Sequence, residues 1–192
     1  MSNLASGGST GEKLDNLAHA RSEGEAGGGM KRLEGIRASG RGTARDRIRW
    51  LLDADSFVEI DSFITHRATD YNLHMLKHLG DGVVAGHGMV GGRRVYCFAQ
   101  DFSVHGGSMG EMHAKKIAKA VEMAMRARVP LIGIWDGGGQ RVHDGIPALG
   151  GTGELLDHLV QCSGRIPMIS IVLGPVVGVS ALAAGLADFT IL

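Results

Sequence analysis

The chain has 192 residues, 44% apolar and 21% charged, with a formal net charge of +0. That is globular composition, long enough for one sizeable core and an appendage, and the lack of a basic surplus excludes a nucleic-acid partner. The sequence has neither a run of about eighteen apolar residues nor a basic-then-apolar leader, so no membrane partner and a cytoplasmic location are expected.

The two cysteines, Cys97 and Cys162, each lie in an apolar run. They read as buried free thiols of a reducing compartment, and they cannot form a four-ligand zinc site. Thirty-one glycines imply many tight turns and close backbone approaches, and so a function carried in loops.

Residues 1–11 are rich in Ser, Gly and Thr and read as loose. Helix formers run from Glu12 to Glu25, ended by Gly27, Gly28 and Gly29, and a second helical stretch follows from Met30 to about Ser39. Residues 1–40 are therefore expected to form a flexible N-terminus and helical arm, with the main domain over 41–192. Thr43 is the expected N-cap of a third helix whose face carries Ile48, Leu51 and Leu52. Arg41, Arg45, Arg47 and Arg49 make that region basic, either as a solvated face or as an arm that grips anions such as phosphates.

Phe57 to Ile60 reads as a short strand, and residues 66–80 as irregular. His74 and His78 stand four apart, but no third ligand has a recognisable spacing, so no metal is expected. Apolar runs at Val83–Ala85 and Val95–Ala99 flank Gly91-Gly92 and predict a hairpin. Gly86-His-Gly88-Met-Val-Gly91 has the letters of a dinucleotide fingerprint, but a strand follows where the mechanism needs a helix N-terminus.

Gly106-Gly107-Ser108-Met109-Gly110 spells a nucleophile elbow, which would make Ser108 a hydrolase nucleophile. Ser108 also stands three residues before Glu111, the spacing of a capping box, and this is the preferred reading. The helix that follows should bury Ala114, Ile117, Ala118, Val121, Ala124 and Met125 and expose Lys115, Lys116, Lys119, Glu122 and Arg126.

The organising stretch comes next. Leu131 to Trp135 reads as a buried strand, and Gly137-Gly138-Gly139-Gln140-Arg141 as a loop whose backbone N–H groups can face an oxyanion or a diphosphate. Glu154 to Gln161 repeats a helical pattern, and Pro167 to Leu173 a buried strand. A second turn follows at Gly174–Gly178, then a short helix over Ser180–Gly185 and a strand from Phe189. This βαβαβ order implies a parallel layer, with both glycine turns on one edge, where open α/β layers bind ligands.

These residues resemble the N-terminal half of the carboxyltransferase β subunit of propionyl-CoA carboxylase and related acyl-CoA carboxylases. The likeness covers about Arg41 to Leu192. It is carried by Gly42-Thr-Ala-Arg-Asp-Arg-Ile, Leu52-Asp-Ala-Asp-Ser-Phe-Val-Glu, Gly80-Asp-Gly-Val-Val, Gln100-Asp-Phe-Ser-Val-His-Gly-Gly-Ser, Asp136-Gly-Gly-Gly-Gln-Arg and Gly174-Pro-Val-Val-Gly. The resemblance implies an α/β, crotonase-like ββα spiral of two sheet layers with helices outside, here as an apparently truncated domain.

It also implies carboxyl transfer from carboxybiotin, borne on a separate carrier protein, to an acyl-CoA whose thioester enolate is held by backbone N–H donors. The donors would lie at Gly178, Val179 and Ser180, and Gly137, Gly138, Gly139 and Gln140 would line the CoA thioester pocket. Arg141 would anchor that loop or approach the CoA phosphates, and Arg41 and Arg45 would be further phosphate contacts.

The partners implied are acyl-CoA, a biotin carboxyl carrier or biotin carboxylase subunit, and a C-terminal half or homologous subunit in an oligomer. The alternative is a non-catalytic or incomplete subunit that scaffolds such a complex. Two departures from the family pattern have expected consequences: Gln140 should narrow or re-hydrogen-bond the pocket mouth, and the β-branched Val179 should restrict its turn and crowd the acyl group.

Overall fold

The computed structural model describes residues 8–192; the expected looseness of the first residues lies largely outside that range. Six helices, α1 (Thr10–Glu25), α2 (Met30–Ala38), α3 (Ala44–Leu51), α4 (Glu111–Ala127), α5 (Ile146–Cys162) and α6 (Val179–Gly185), accompany six strands. The strands are β1 (Val58–Glu59), β2 (Val83–Val90), β3 (Arg93–Gln100), β4 (Leu131–Gly137), β5 (Met168–Val176) and β6 (Phe189–Ile191). They form one sheet in sequence order. β1, β2 and β3 pair antiparallel, and β3 through β6 pair parallel. The described residues thus contribute one layer of the two that the resemblance implies.

The continuous apolar runs of the central strands follow from burial on both faces. Tyr96, Phe98, Leu131, Trp135 and Met168 point to one side and pack under α4, α5 and α6. Val95, Cys97, Ala99, Ile132 and Ile134 point to the other and meet Ala44, Ile48 and Leu52 of the α3 region. Phe98 and Trp135 meet edge to face at 4.9 Å. Gly133 makes room for that pair, since a Cβ there would stand 2.5 Å from Phe98 Cζ. Both cysteines are buried and unpaired, and burial pushes the Cys97 thiol up to about 12.

Thr43 caps α3 as expected, through a reciprocal capping box with Asp46. Of the dinucleotide-like glycines, Gly86 and Gly88 lie within β2 and Gly91 in the turn after it; Gly86 lets β1 approach, since a Cβ would fall 2.2 Å from Val58 O. α1 and α2 dock through the Gly28 N–H, which donates to Ser103 Oγ at 2.9 Å, and through Arg32 to Ser103 O at 3.0 Å.

Three expectations are corrected. Ser108 does not cap α4: Met109 pairs as a parallel bridge with Gln140, so the helix starts only at Glu111 and Gly110 is its N-cap. The Ser108 hydroxyl instead donates to His105 O at 2.7 Å. Lys116 is not on a solvated face. Its stem runs over β2 and its ammonium, buried, donates to Val83 O at 2.8 Å with Glu59 at 3.7 Å. Finally, α5 begins at Ile146, eight residues before the periodic stretch that starts at Glu154. Pro147 suits a first turn, and Gly151 is needed for contact with α4, because a Cβ would lie 2.7 Å from Glu111 O.

Two measurements follow. Gly151→Ala is expected to destabilise by about 1–3 kcal/mol through overpacking. Gly150→Ala, in the same helix but facing open space, is expected to stabilise by up to about 1 kcal/mol; urea unfolding of both variants checks the opposite signs. Burial lowers the Lys116 ammonium from 10.5 to about 8, so the unfolded chain holds the extra proton between those values. This group therefore opposes folding by about 3 kcal/mol below pH 8, and the penalty fades as pH rises toward 10.5. The stability of Lys116→Met relative to the parent chain is expected to fall by that amount over the same pH window.

Candidate functional site

The parallel β4 and β5 end side by side, so their two glycine turns open on one sheet edge. At Gly139 (φ 79°) a Cβ would lie 2.8 Å from Val177 O, so the turns touch. Gly178 (φ 56°) then starts α6, with no side-chain cap. The first N–H groups of a helix have no intrahelical acceptor, and those of Val179 and the buried Ser180 meet no other acceptor among the described residues. Val179 packs its half-buried side chain against the main core.

The first turn is held on three sides by a neighbouring loop. The Gly138 N–H donates to Gly106 O at 3.0 Å, Met109 N–H to Gly139 O at 2.7 Å, and Arg141 N–H to Met109 O at 2.8 Å. A Cβ on Gly107 (φ 66°) would stand 2.2 Å from Asp136 O, so only glycine allows this approach. Among the described residues the N–H groups of Gly139 and Gln140 meet no acceptor. Gln140 folds its side chain back: Nε2 donates to Met109 O at 3.0 Å, and the Thr152 hydroxyl lies 2.9 Å from Oε1. Of the two effects expected for Gln140, re-hydrogen-bonding is the one present.

Both flanks of the loop end in buried ion pairs. Before it, Asp136 meets Arg41 at 2.5 Å and Arg47 at 2.8 Å. After it, Arg141 donates to Asp81 Oδ1 at 2.6 Å and to Ser108 O at 2.9 Å, with Asp144 at 3.6 Å. Burial pushes the Asp81 carboxyl up, and Arg141 opposes this. Arg141 is only 3% exposed, enclosed by Asp81, Ser108 and Asp144.

The four clustered arginines separate. Arg47 is buried, Arg49 pairs with Asp46 at the surface, and Arg45 is held by both oxygens of Glu59 at 2.8 and 3.2 Å beside a different cleft. That pairing takes Arg45 away from the glycine loop. Arg41 stays partly open, its guanidinium 4.8 Å above the Phe102 ring. It lines a cleft of about 520 Å³ with Arg32, Ile36, Phe102, His105 and Gly106, the residue whose carbonyl holds Gly138. Arg32 was not singled out from the sequence; it lies in the helical arm, with no local pattern to mark it.

No hydrolase site assembles at Ser108, since its hydroxyl is committed to a backbone carbonyl and no imidazole bonds to it. Burial, then Arg141, lowers the nearby His105 ring to about 4. His74 and His78 turn to different carbonyls, Thr69 O and Gly27 O. Among the described residues no group of three or more His, Cys, Asp or Glu is placed to hold a metal ion.

Comparison with known proteins gives a consistent result. The chain is 45% identical over 176 residues to the propionyl-CoA carboxylase beta chain of Roseobacter denitrificans, and 44% identical over 178 residues to the methylmalonyl-CoA decarboxylase subunit alpha of Veillonella parvula. These matches cover 92% and 93% of the chain but only 34% and 35% of the relatives, so the chain spans about a third of their length. Transcarboxylase 12S, solved with methylmalonyl-coenzyme A and methylmalonic acid bound, superposes with a TM-score of 0.93 at 37% identity, over 97% of this chain and 36% of that one. A Pseudomonas malonate decarboxylase hetero-tetramer in complex with malonate gives 0.70 at 26% identity, over 77% and 57%. The fold is that of the crotonase-like carboxyltransferases. Residues 36–192 match the model of the carboxyl transferase domain, and with the two strand-end glycine turns in place the chain belongs to the carboxyl transferase domain family.

Proposed function

We propose that this chain is the acyl-CoA-binding part of a biotin-dependent acyl-CoA carboxyltransferase. The carrying observation is the contact of the two glycine turns at one sheet edge, with unpaired N–H groups on both. Such groups are fixed in direction before any ligand arrives, which is what a developing enolate oxygen requires. In this reading Gly178, Val179 and Ser180 supply the backbone donors to the thioester oxygen. Gly137, Gly138, Gly139 and Gln140 form the facing wall.

The cleft beside Gly106 receives the CoA diphosphate. Arg32 and Arg41 bring two cations there, and Phe102 offers a ring face. Arg45 and Arg141, both engaged by carboxylates, support the framework. Carboxybiotin on a carrier protein supplies the carboxyl group; no residue of this chain is assigned to holding it. The same reading makes the chain's partners a biotin carboxyl carrier or biotin carboxylase subunit and a C-terminal half or homologous subunit, in an oligomer. Among the described residues no helix is long and apolar enough to cross a membrane, and a cytoplasmic site of action fits the two free, buried cysteines.

Isothermal titration of the full chain with propionyl-CoA tests this. Saturable binding is expected, weakened by added salt, as for any phosphate held by exposed cations. Arg32→Ala is expected to weaken it about tenfold or more, the worth of one charged hydrogen bond. The absence of saturable binding would overturn the proposal.

A further inference from the structure

Beneath the glycine loop runs a chain of buried polar groups that packing alone does not require. Gln100, the last residue of β3, is fully buried, and its Oε1 accepts the Asp136 N–H at 3.1 Å. Its Nε2 lies 3.4 Å from Nε2 of His113, itself fully buried on α4. His113 Nδ1 stands 3.0 Å from the Asp81 carbonyl oxygen, and its backbone N–H donates to Asp81 Oδ2 at 2.8 Å. Asp81 in turn holds Arg141. The run therefore starts immediately before the glycine loop and ends immediately after it.

The hydrogen bonds have only one consistent direction. A carbonyl oxygen can only accept, so His113 Nδ1 carries the proton and Nε2 is bare. Bare Nε2 takes a hydrogen from the Gln100 amide nitrogen, which leaves Gln100 Oε1 to face the Asp136 N–H. One tautomer gives Gln100, His113 and Asp81 matched partners throughout.

We propose that His113 is a positioning residue for the glycine loop: as its Nδ1–H tautomer it orients the Gln100 amide on one side and Asp81 on the other, holding both ends of the Gly137–Gln140 backbone. The consequence for ligand binding rests on the acyl-CoA reading above; the geometry does not. Burial, with Arg141 and Lys116 adding to it, lowers the His113 ring to about 3, so it stays uncharged at neutral pH. An added proton on Nε2 would meet the Gln100 NH2 group, turn that amide over, and set its nitrogen against the Asp136 N–H. Neutrality thus has a task here, which an apolar ring of the same shape could not perform.

The test combines 15N-histidine NMR and amide exchange on the full chain with acyl-CoA titration, using the parent chain and Gln100→Met, which keeps the volume and removes both bonds. The His113 signal is expected as the Nδ1–H tautomer, unchanged across neutral pH. In Gln100→Met the Asp136 and Gly138 amides are expected to exchange about tenfold faster, the factor of one lost hydrogen bond, while those of Ile132 and Ile134 keep their protection. Propionyl-CoA affinity should drop by a similar factor.

An Nε2–H tautomer overturns the proposal. So does Gln100→Met whose loop amides exchange no faster, or speed up together with Ile132 and Ile134, and so does a loosened loop with unchanged affinity. If the parent chain binds no acyl-CoA, the functional reading falls, and the tautomer and exchange results alone decide whether His113 positions the loop.

Discussion

The buried pairing of Arg141 with Asp81 is the constraint on which the rest of the site depends. Both side chains are out of water, where a lone charge would be prohibitive and a matched pair is tolerable only with further hydrogen bonds to each partner. Asp81 also accepts the His113 N–H and Arg141 also donates to the carbonyls of Asp81 and Ser108, while the buried Arg141 Nε meets no acceptor among the described residues. The pair therefore stabilises one arrangement of the segments at 81, 108, 113 and 141 and penalises others. Specificity of geometry, more than net stability, is what such an arrangement contributes.

Around that clamp, glycine sets the spacing. The approach of Gly107 to Asp136, of Gly139 to Val177 and of Gly174 to the Asp136 carboxylate each leaves no room for a side chain. At Gly174 the missing side chain is what lets Arg41, which stands just before α3, reach Asp136. Backbone is thus brought to backbone where the turns meet, and charge to charge just behind them. Exposed N–H groups in such a setting have little freedom to turn away, which is the condition for stabilising a charge that appears only briefly.

How much of this was legible in the sequence depends on how far apart the cooperating residues stand. The apolar runs of β3 and β4 and the helical period of α4 are local, and the two strands and the buried face of α4 came out as read. So did the Thr43 cap and the two glycine turns on one edge. The misreadings share a cause: each concerned a partner remote in the chain. Ser108 and Glu111 match a capping box until the bridge between Met109 and Gln140 delays the helix. Lys116 sits on the charged side of its helical wheel, but β2 lies below it and Glu59 nearby. The helical pattern before β5 reads only from Glu154, although α5 starts at Ile146 and Gly151 is the point where it rests on α4. The roles of Gln100, His113 and Asp81 have no local signature at all. Family resemblance supplied the chemistry, and only coordinates show that Arg45 and Arg141 are already engaged.

The clamps also span long stretches of chain. Arg141 and Asp81 are 60 residues apart, Arg41 and Asp136 95, and Arg47 and Leu173 126. Closing loops of that size forfeits entropy before any contact returns it. A ligand that occupies the edge of the folded chain alone would shift the equilibrium of the whole domain toward the native state, by an amount that grows with the logarithm of its concentration above Kd. For a chain tied together this way, any ligand that binds only the folded edge also protects the segments far from it.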